Sequence, residues 1–477
     1  MYRAVALLIS VLGSGISAPA QVDRIGVDPR VELFSVIFRL AGSPEYQQGR
    51  VPAYSAAVDA WFAPYRNHDV FQYARQLRQN NGIAYDAPIS LAIHVVDADG
   101  LRERVPLDTP GLKLDPRWTP ASARHFLELA RDFAASARFG EFLDSQKALF
   151  ETTNERHRAL VASADLTWFG RFFGFSAPVR YEVVSGLLTG SNSYGPSVVA
   201  EDGVLEVYGV QGIPAVDADG LPVLPAGYVS NLVHELTHSY ANPLVDQFIA
   251  DLEPAGRRLY SAASADMNAQ GYGNAAAVLY ETLVRACSAR YTREHDGDAA
   301  GSSAVDYERS RGFVWMGELY GVLGEYEADR ATYPSLDGFM PKLAAALDEM
   351  STRAGAMVAG YEAGRPRVVK ATPGNGAQVP ATLGEVSVTF DKAMKNGYSV
   401  AVAAGSAVPK VTRVGWDDTG TVFRLECVLE TGKDYVLLLN ASGANFMSAD
   451  GYALRAYTLR FRTDDAPDAS PGSGRPR

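Results

Sequence analysis

Cysteine is almost missing from this 477-residue chain, which holds only Cys287 and Cys427. Two thiols exclude the disulfide framework that staples small secreted domains. Their settings also speak against a single bridge, because Cys287 falls on a predicted helix and Cys427 on a predicted strand of another domain. Both read as buried thiols acting as small apolar side chains. Basic runs are missing as well: the formal net charge is −11, and no Lys/Arg-rich stretch is interleaved with aromatics. Nucleic acid is therefore excluded as the expected partner. Beyond the N-terminus no segment approaches the ~20 apolar residues of a membrane span, so no stable membrane insertion is expected. Histidine is scarce too, with 7 in the chain, so a cluster of them carries information.

What is present is a normal globular balance, 47% hydrophobic and 21% charged, in a chain long enough for two or three domains. Its first residues have the layout of a cleaved signal peptide over residues 1–20. Arg3 supplies the positive charge, Ala4 to Leu12 a short apolar run, and Ala18-Pro19-Ala20 the small residues before Gln21. The expected location is outside the cytoplasm, in the periplasm or the medium. No cysteine follows to carry a lipid.

Two of the seven histidines stand in His234-Glu235-Leu236-Thr237-His238, which is the chain's only HExxH. On a helix, positions i and i+4 stack on one face while i+1 points aside. Two imidazoles are thereby offered to one metal ion, and a carboxylate that does not ligate is left to act on water. Imidazole nitrogens suit Zn²⁺, and Glu235 has the chemistry of a general base.

A catalytic zinc usually takes three protein ligands, so one is still to be found. A histidine six residues after His238 would fit the metzincin pattern, but Leu244 stands there and Ala241 replaces the expected glycine. Among glutamates, Glu253 precedes Pro254 and Gly256 and reads as a helix end. Glu281 differs: from Asn274 to Ala289 it and Arg285 are the sole charges, and it shares a helical face with Ala277, Val284 and Ser288. A carboxylate inside such a helix needs a cation or donors to meet it. Zinc would do so, and so would an i,i+4 pair with Arg285; the two roles are compatible if Arg285 supports the ligand. His295, in a charged run, reads as part of a solvated loop. His68, His94, His125 and His157 show no ligand-like spacing. Tyr272, Tyr291 and Arg285 are candidates for stabilising an oxyanion.

Along the chain, the opening to about His94 reads as mixed α/β, with Ile89 to Val96 as a strand. Thr119-Pro120 starts a run of helices reaching about Leu160. Extended segments follow at Val179 to Val184 and Val204 to Val210, the latter a candidate edge strand that could take an extended peptide. The motif helix is predicted from near Val229 to Asn242-Pro243. Three further helices are expected near Asn274 to Tyr291, Gly312 to Arg330 and Gly338 to Met357. Beyond Gly364-Arg365-Pro366 the texture changes to seven short strands: Arg367 to Ala371, Glu385 to Phe390, Ser399 to Val402, Lys410 to Trp416, Thr421 to Val428, Asp434 to Leu439 and Tyr457 to Thr463. These predict a β-sandwich. The Pro-, Gly-, Ser- and Asp-rich residues 464–477 are expected to be a disordered tail.

Several of these residues together resemble the bacterial family known as domain of unknown function 4932. They are Pro29-Arg30-Val31-Glu32-Leu33, Tyr65 with His68, Gly195, the HExxH helix ending in Asn242-Pro243, Glu281 with Val284-Arg285-Ala286, and Gly312-Phe313. The likeness covers roughly Val22 to Glu362 and implies a zincin-like, gluzincin-type metallohydrolase, with the glutamate before Val-Arg-Ala as third ligand. The C-terminal region, with Val388-Thr389-Phe390-Asp391, Trp416, Tyr435 and Phe461-Arg462-Thr463, is similar to bacterial Ig-like domains. That likeness implies a spacer, or a module binding another protein or a cell-surface component.

The expected organisation is a signal peptide (1–20), an α+β zincin-like domain (21–362), an all-β Ig-like sandwich (366–463) and a tail (464–477). The expected function is an exported zinc metallopeptidase acting on peptide or protein substrates, with His234, His238 and Glu281 on Zn²⁺ and Glu235 as general base. Two other readings fit the same residues. One is a secreted or cell-surface binding protein that uses the zincin domain as scaffold and the Ig-like domain for interaction. The other is a zinc hydrolase of a non-peptide amide bond.

Overall fold

A computed structural model describes residues 21–465 apart from Ser442. The expected signal peptide and residues 466–477 of the expected tail lie outside the described residues. The chain divides into two compact units. The first comprises the described residues up to Asp251 with Leu283–Thr292 and Leu323–Ala344; the second comprises Leu252–Thr282, Arg293–Val322 and the chain from Ala345 onward.

The first unit is built on strands β1 (Gln21–Gly26), β2 (Val179–Gly186), β3 (Ser197–Val199) and β4 (Leu205–Gly212), in the order β1-β2-β4-β3. β1, β2 and β4 run parallel, with Ile25 beside Val183 and Glu182 beside Tyr208, while β3 is antiparallel to β4. The candidate edge strand is therefore misplaced by the sequence pattern. β4 is paired on both sides, and the three-residue β3 forms the edge, prolonged by an isolated bridge between Tyr194 and Val210. A two-stranded ribbon, β5 (Ala215–Val216) with β6 (Pro222–Val223), follows.

Helices α1 (Pro29–Leu40), α2 (Pro52–Trp61), α3 (Asp69–Asn81), α4 (Ala87–Ile93), α5 (Pro120–Ser136), α6 (Phe139–Ser145), α7 (Lys147–Val161) and α8 (Thr167–Phe173) lie between β1 and β2 in the chain. α1 is capped by Asp28, which accepts from the Arg30 N–H, and is buried from Arg30 to Arg39, its charged Arg30, Glu32 and Arg39 each meeting a partner. Phe34 meets Phe126 at 5.2 Å, Phe71 meets Phe133 at 5.0 Å, and Phe62 meets Phe142 at 4.9 Å between ring centroids. These aromatics fill the core with area burial and edge-on ring contacts. α5 starts as the sequence suggests, on a Thr119–Ser122 capping box.

The stretch from Ile89 is not a strand: Ala87–Ile93 is α4, with Pro88 in its first turn and all seven residues buried. A continuous apolar run has no period, so it reads alike as a buried strand or a buried helix. His94 closes the helix, its Nδ1 2.6 Å from the Ser90 carbonyl oxygen.

The remaining helices are α9 (Val229–Gln247), α10 (Ile249–Ala269), α11 (Ala275–Asp296), α12 (Asp298–Ser310), α13 (Met316–Ala328), α14 (Leu336–Thr352) and α15 (Ala354–Gly364). No helix among the described residues is long and apolar enough to cross a membrane.

In the second unit the C-terminal strands are β7 (Val368–Thr372), β8 (Ala377–Val379), β9 (Glu385–Phe390), β10 (Val400–Val402), β11 (Lys410–Trp416), β12 (Val422–Val428), β13 (Asp434–Leu439) and β14 (Tyr457–Thr463). They form two four-stranded, sandwich-like sheets, β11-β12-β9-β7 and β10-β13-β14-β8. Alternate residues of both sheets, among them Val388, Phe390, Leu425, Leu437 and Phe461, share one apolar core. All seven expected strands are found within a residue at each end, and the three-residue β8 is the addition. The edge strand β11 carries Lys410 and a register shift between Val411 and Arg413, which blunts it against further pairing.

This sandwich is fastened to α12 and α15 of the same unit. The Arg309 guanidinium lies 5.2 Å from the Tyr361 ring and 5.1 Å from the Tyr452 ring, and Lys395 Nζ lies 2.9 Å from Asp306 Oδ2. Arg365 donates to the Ala453 carbonyl at 2.9 Å, and the Tyr361 hydroxyl accepts from the Ala453 N–H at 3.2 Å.

One group in the first unit has a consequence for stability. Glu32 on α1 is fully buried; the Tyr54 hydroxyl donates to it at 2.6 Å and the Leu187 N–H at 3.4 Å. Burial raises its carboxyl from the ordinary 4.5 to about 7, against the pull of those two donors. The fold thus prefers Glu32 protonated, so its contribution is fully present below pH 4.5 and is lost as pH rises through 7. Melting temperatures of wild type and Glu32→Gln between pH 5 and 8 should diverge, the wild type losing up to about 3 kcal/mol relative to the variant. Parallel curves would show that Glu32 does not titrate in this window.

Candidate metal centre

α9 carries the HExxH residues, and its orientation is set by its apolar face. Leu232, Leu236 and Tyr240, at i, i+4 and i+8, are buried. Leu232 and Leu236 press on β4 at Gly209, where a Cβ would lie 2.6 Å from Leu232 Cδ1 and 3.3 Å from Leu236 Cδ2. Tyr240 stacks on Phe169 and Phe173 at 5.3 and 5.1 Å, and its hydroxyl meets that of Tyr181 at 2.6 Å. Two positions along a helix is about 200° of rotation, so His234 and His238 turn away from the sheet. Their rings are 5.0 Å apart at 85°, and both are half-buried.

Glu235 is buried, and the chain segment before β3 crosses α9 at this residue. A Cβ on Gly195 would fall 1.8 Å from the Glu235 carbonyl oxygen, and Ser239 Oγ donates to the Gly195 carbonyl at 3.3 Å. Only glycine permits that approach.

α9 continues past the predicted stop at Asn242-Pro243 to Gln247. Pro243 cannot donate to the Ser239 carbonyl, and proline disfavours a helical residue before it. Here the burial of Ala241 and Val245 on either side outweighs that local preference. The extra turn matters, because it keeps Asn242 helical one turn beyond His238, with its Oδ1 3.2 Å from His238 Nδ1. An amide oxygen facing Nδ1 makes that nitrogen the protonated one and leaves Nε2 with its lone pair for a metal.

Glu281 sits in α11, whose cap Asn274 accepts from the Ala277 N–H, and is buried within the run Val278 to Cys287. His234, His238 and Glu281 each offer a ligand atom, and these atoms lie within 4.8 Å of one another. Donors around a tetrahedral zinc stand about 3.3 Å apart, so rotamer-scale movement brings this set to coordination distance. Two imidazoles and a carboxylate, partly withdrawn from water, fit a borderline cation such as Zn²⁺.

The other candidates are elsewhere. Glu253 does not end a helix but lies inside α10, exposed, 2.7 Å from Arg257. His295 is not in a loop but in the exposed last turn of α11. Of the oxyanion candidates, Tyr291 has its hydroxyl engaged by the Asp165 N–H at 2.8 Å, Tyr272 packs on Phe313, and Arg285 is buried one turn after Glu281. His157 and His94 are buried core histidines, and His157 is pushed down to about 4 by burial. Cys287 and Cys427 are both free and buried, as expected.

Tyr228, which the sequence reading passes over, caps α9 and donates from its hydroxyl to the Gly212 carbonyl at 2.9 Å, with Ser193 Oγ 3.3 Å away. Burial raises its pKa, the Glu235 charge acts in the same direction, and the Arg50 charge opposes it. Its position directly before the motif helix was the only signal available.

Among known proteins, a family model described as Domain of unknown function (DUF4932) matches residues 24–346. No curated protein matches. Solved structures with likeness include CopC from Methylosinus trichosporium OB3b, 19% identical over 22% of this chain and all of that one, with a TM-score of 0.18. The S-layer protein rSbsC(31-844) is 14% identical over 49% of this chain and 33% of its own, with a TM-score of 0.17. The N-terminal part of the bacterial S-layer protein SbsC is 15% identical over 50% of this chain and 58% of its own, also at 0.17. Likeness at this level carries no argument about the chain's fold or function.

Asn242→Ala should weaken zinc binding about 10- to 100-fold in competition with a chromophoric chelator while leaving the far-UV spectrum unchanged. Unaltered affinity would mean that Asn242 does not orient His238.

Proposed function

The chain belongs to the family described as a domain of unknown function (DUF4932), and on that premise we propose that it is an exported zinc metallopeptidase. The convergence of His234, His238 and Glu281 carries the reading: three donors from positions up to 47 residues apart meet within 4.8 Å, beside the buried carboxylate of Glu235. Bound there, Zn²⁺ supplies Lewis acidity, which makes water nucleophilic near neutral pH and polarises an amide carbonyl.

The chain's own residues divide the remaining work. His238 is held by Asn242 in the tautomer that presents Nε2, and Glu281 adds the negative charge that favours a dication. Glu235, one residue round the helix from His234, removes a proton from the attacking water and returns it to the departing amine. The close seating of Gly195 on the Glu235 backbone limits how far that carboxylate can drift. C–N cleavage leaves a carboxylate and an ammonium: Glu235 passes one proton of the water to the leaving nitrogen, and the second reaches that nitrogen from the new carboxylic acid.

The test is direct. The mature protein should bind one zinc and cleave members of a broad peptide library. Glu235→Gln should keep the metal and lose about 10²- to 10⁴-fold in turnover, the usual worth of a general base. Glu281→Ala should lose zinc affinity. A wild-type protein that neither binds zinc nor cleaves any peptide overturns the enzyme reading, and Glu281→Ala with full affinity overturns the ligand set.

A further inference from the structure

Arginine in this acidic chain is mostly neutralised. Arg30, Arg39, Arg104, Arg117, Arg180 and Arg290 all sit in ion pairs. Arg50 has no ion-pair or hydrogen-bond partner among the described residues, and it is exposed. Its backbone is nevertheless fixed. Val51 next to it and Tyr54 one turn on are buried. Gly49 lies against the 187–188 backbone, where a Cβ would be 3.3 Å from the Leu187 carbonyl oxygen, and a Cβ on Gly190 would fall 2.7 Å from that of Gln48. The segment 48–50 is thus laid along the segment 187–190, which leads through Ser193 and Gly195 to the motif helix. Ser193 meets Tyr228, Gly195 meets Glu235, and the Arg50 and Glu235 charges both act on the Tyr228 hydroxyl.

We propose that Arg50 is the substrate-recognition residue of this site, binding a carboxylate of the peptide beside the scissile bond. The inference rests on the metallopeptidase reading. A guanidinium on a rigid backbone presents a planar pair of N–H donors that matches a carboxylate, and one without an internal counter-ion is available for it. The carboxylate is either an Asp or Glu side chain or the peptide's own C-terminus, two sources of one chemistry. Arg50 takes no part in proton transfer, so its contribution falls on binding rather than on turnover.

The experiment uses the zinc-loaded full-length chain and quenched fluorescent peptides in matched sets: acidic side chain against amide side chain, and free against amidated C-terminus. Wild type should prefer the carboxylate-bearing members. Arg50→Gln should lower kcat/KM for these by about 10- to 100-fold, through KM, and leave the neutral peptides unchanged; Arg50→Lys should recover part of the loss. Loss on Asp-to-Asn exchange in the peptide assigns the side chain, and loss on amidation assigns the terminus. If wild type cleaves neutral and acidic peptides alike in a Glu235-dependent manner, or Arg50→Gln affects both sets equally, the recognition role is overturned while the peptidase reading stands. If no peptide is cleaved, the peptidase reading falls and takes this inference with it.

Discussion

Gly195 lies so close to the backbone of Glu235 that a methyl group there would sit 1.8 Å from its carbonyl oxygen, and Gly209 on the opposite side admits Leu232 to 2.6 Å of where its own Cβ would be. Between them these two glycines fix the depth and rotation of α9, and everything chemical follows from that seating. With Leu232, Leu236 and Tyr240 held to the sheet, the histidines have only one direction in which to point. Glu235, 60° from Leu232 round the helix, is caught between core and candidate site, which accounts for a general-base candidate that is buried while the candidate ligands His234 and His238 are only half so. A helix merely amphipathic would tolerate rotation by tens of degrees. One clamped by backbone contact does not.

How much of this could be read beforehand depends on whether the signal was local. Buried and less buried residues alternate along β9, β12 and β13, and Glu385–Phe390, Lys410–Trp416, Asp434–Leu439 and Tyr457–Thr463 stand as expected. HExxH spacing is a property of one helix, and Glu281 was legible as the anomalous charge in an apolar one. The failures are of the opposite kind. α4 lacks a period because every residue is buried, Pro243 is carried through α9 by burial that no local rule sees, and β4 lost its expected edge position to a three-residue strand too short to announce itself. Asn242 was missed for a related reason, since it faces His238 only because α9 runs on past Pro243, and Tyr228 because its hydroxyl partners, Gly212 and Ser193, are remote in sequence.

The C-terminal sheets have the sequence texture of an appended module, yet within their unit they are not loosely strung. Arg309 packs against both Tyr361 and Tyr452, whose rings also meet each other, Arg365 lies over the Tyr361 ring, and Lys395 reaches Asp306 on α12. A cation against two touching aromatic rings, with an ion pair and backbone hydrogen bonds beside it, resists both sliding and lifting. Such a joint suits an element that holds neighbouring helices in place better than one that searches for a partner on a flexible tether. A blunted β11 edge, with its lysine and its bulge, points the same way.

The parallel strands give the first unit a direction. Near the amino ends of β2 and β4 the sheet is closed by charge: Arg104 is bonded to Glu206 and Glu201, and Arg180 to Asp202. Glu206 keeps a lowered pKa there, despite burial, because the Arg104 and Arg180 guanidinium groups meet it. At the carboxyl ends β2 and β4 finish on Gly186 and Gly212, and the chain turns into the segments that bear Ser193, Gly195 and Tyr228. Open sheets with parallel strands place ligands outside those carboxyl ends, since that is where successive connections diverge and leave room. Arg104 and Arg180 are neutralised near the amino ends, whereas Arg50, beside the segment that follows β2, has no ion-pair partner among the described residues. Pairing at the amino ends and the unpaired Arg50 where the chain turns toward α9 distinguish scaffold from candidate site along the strand direction of the sheet.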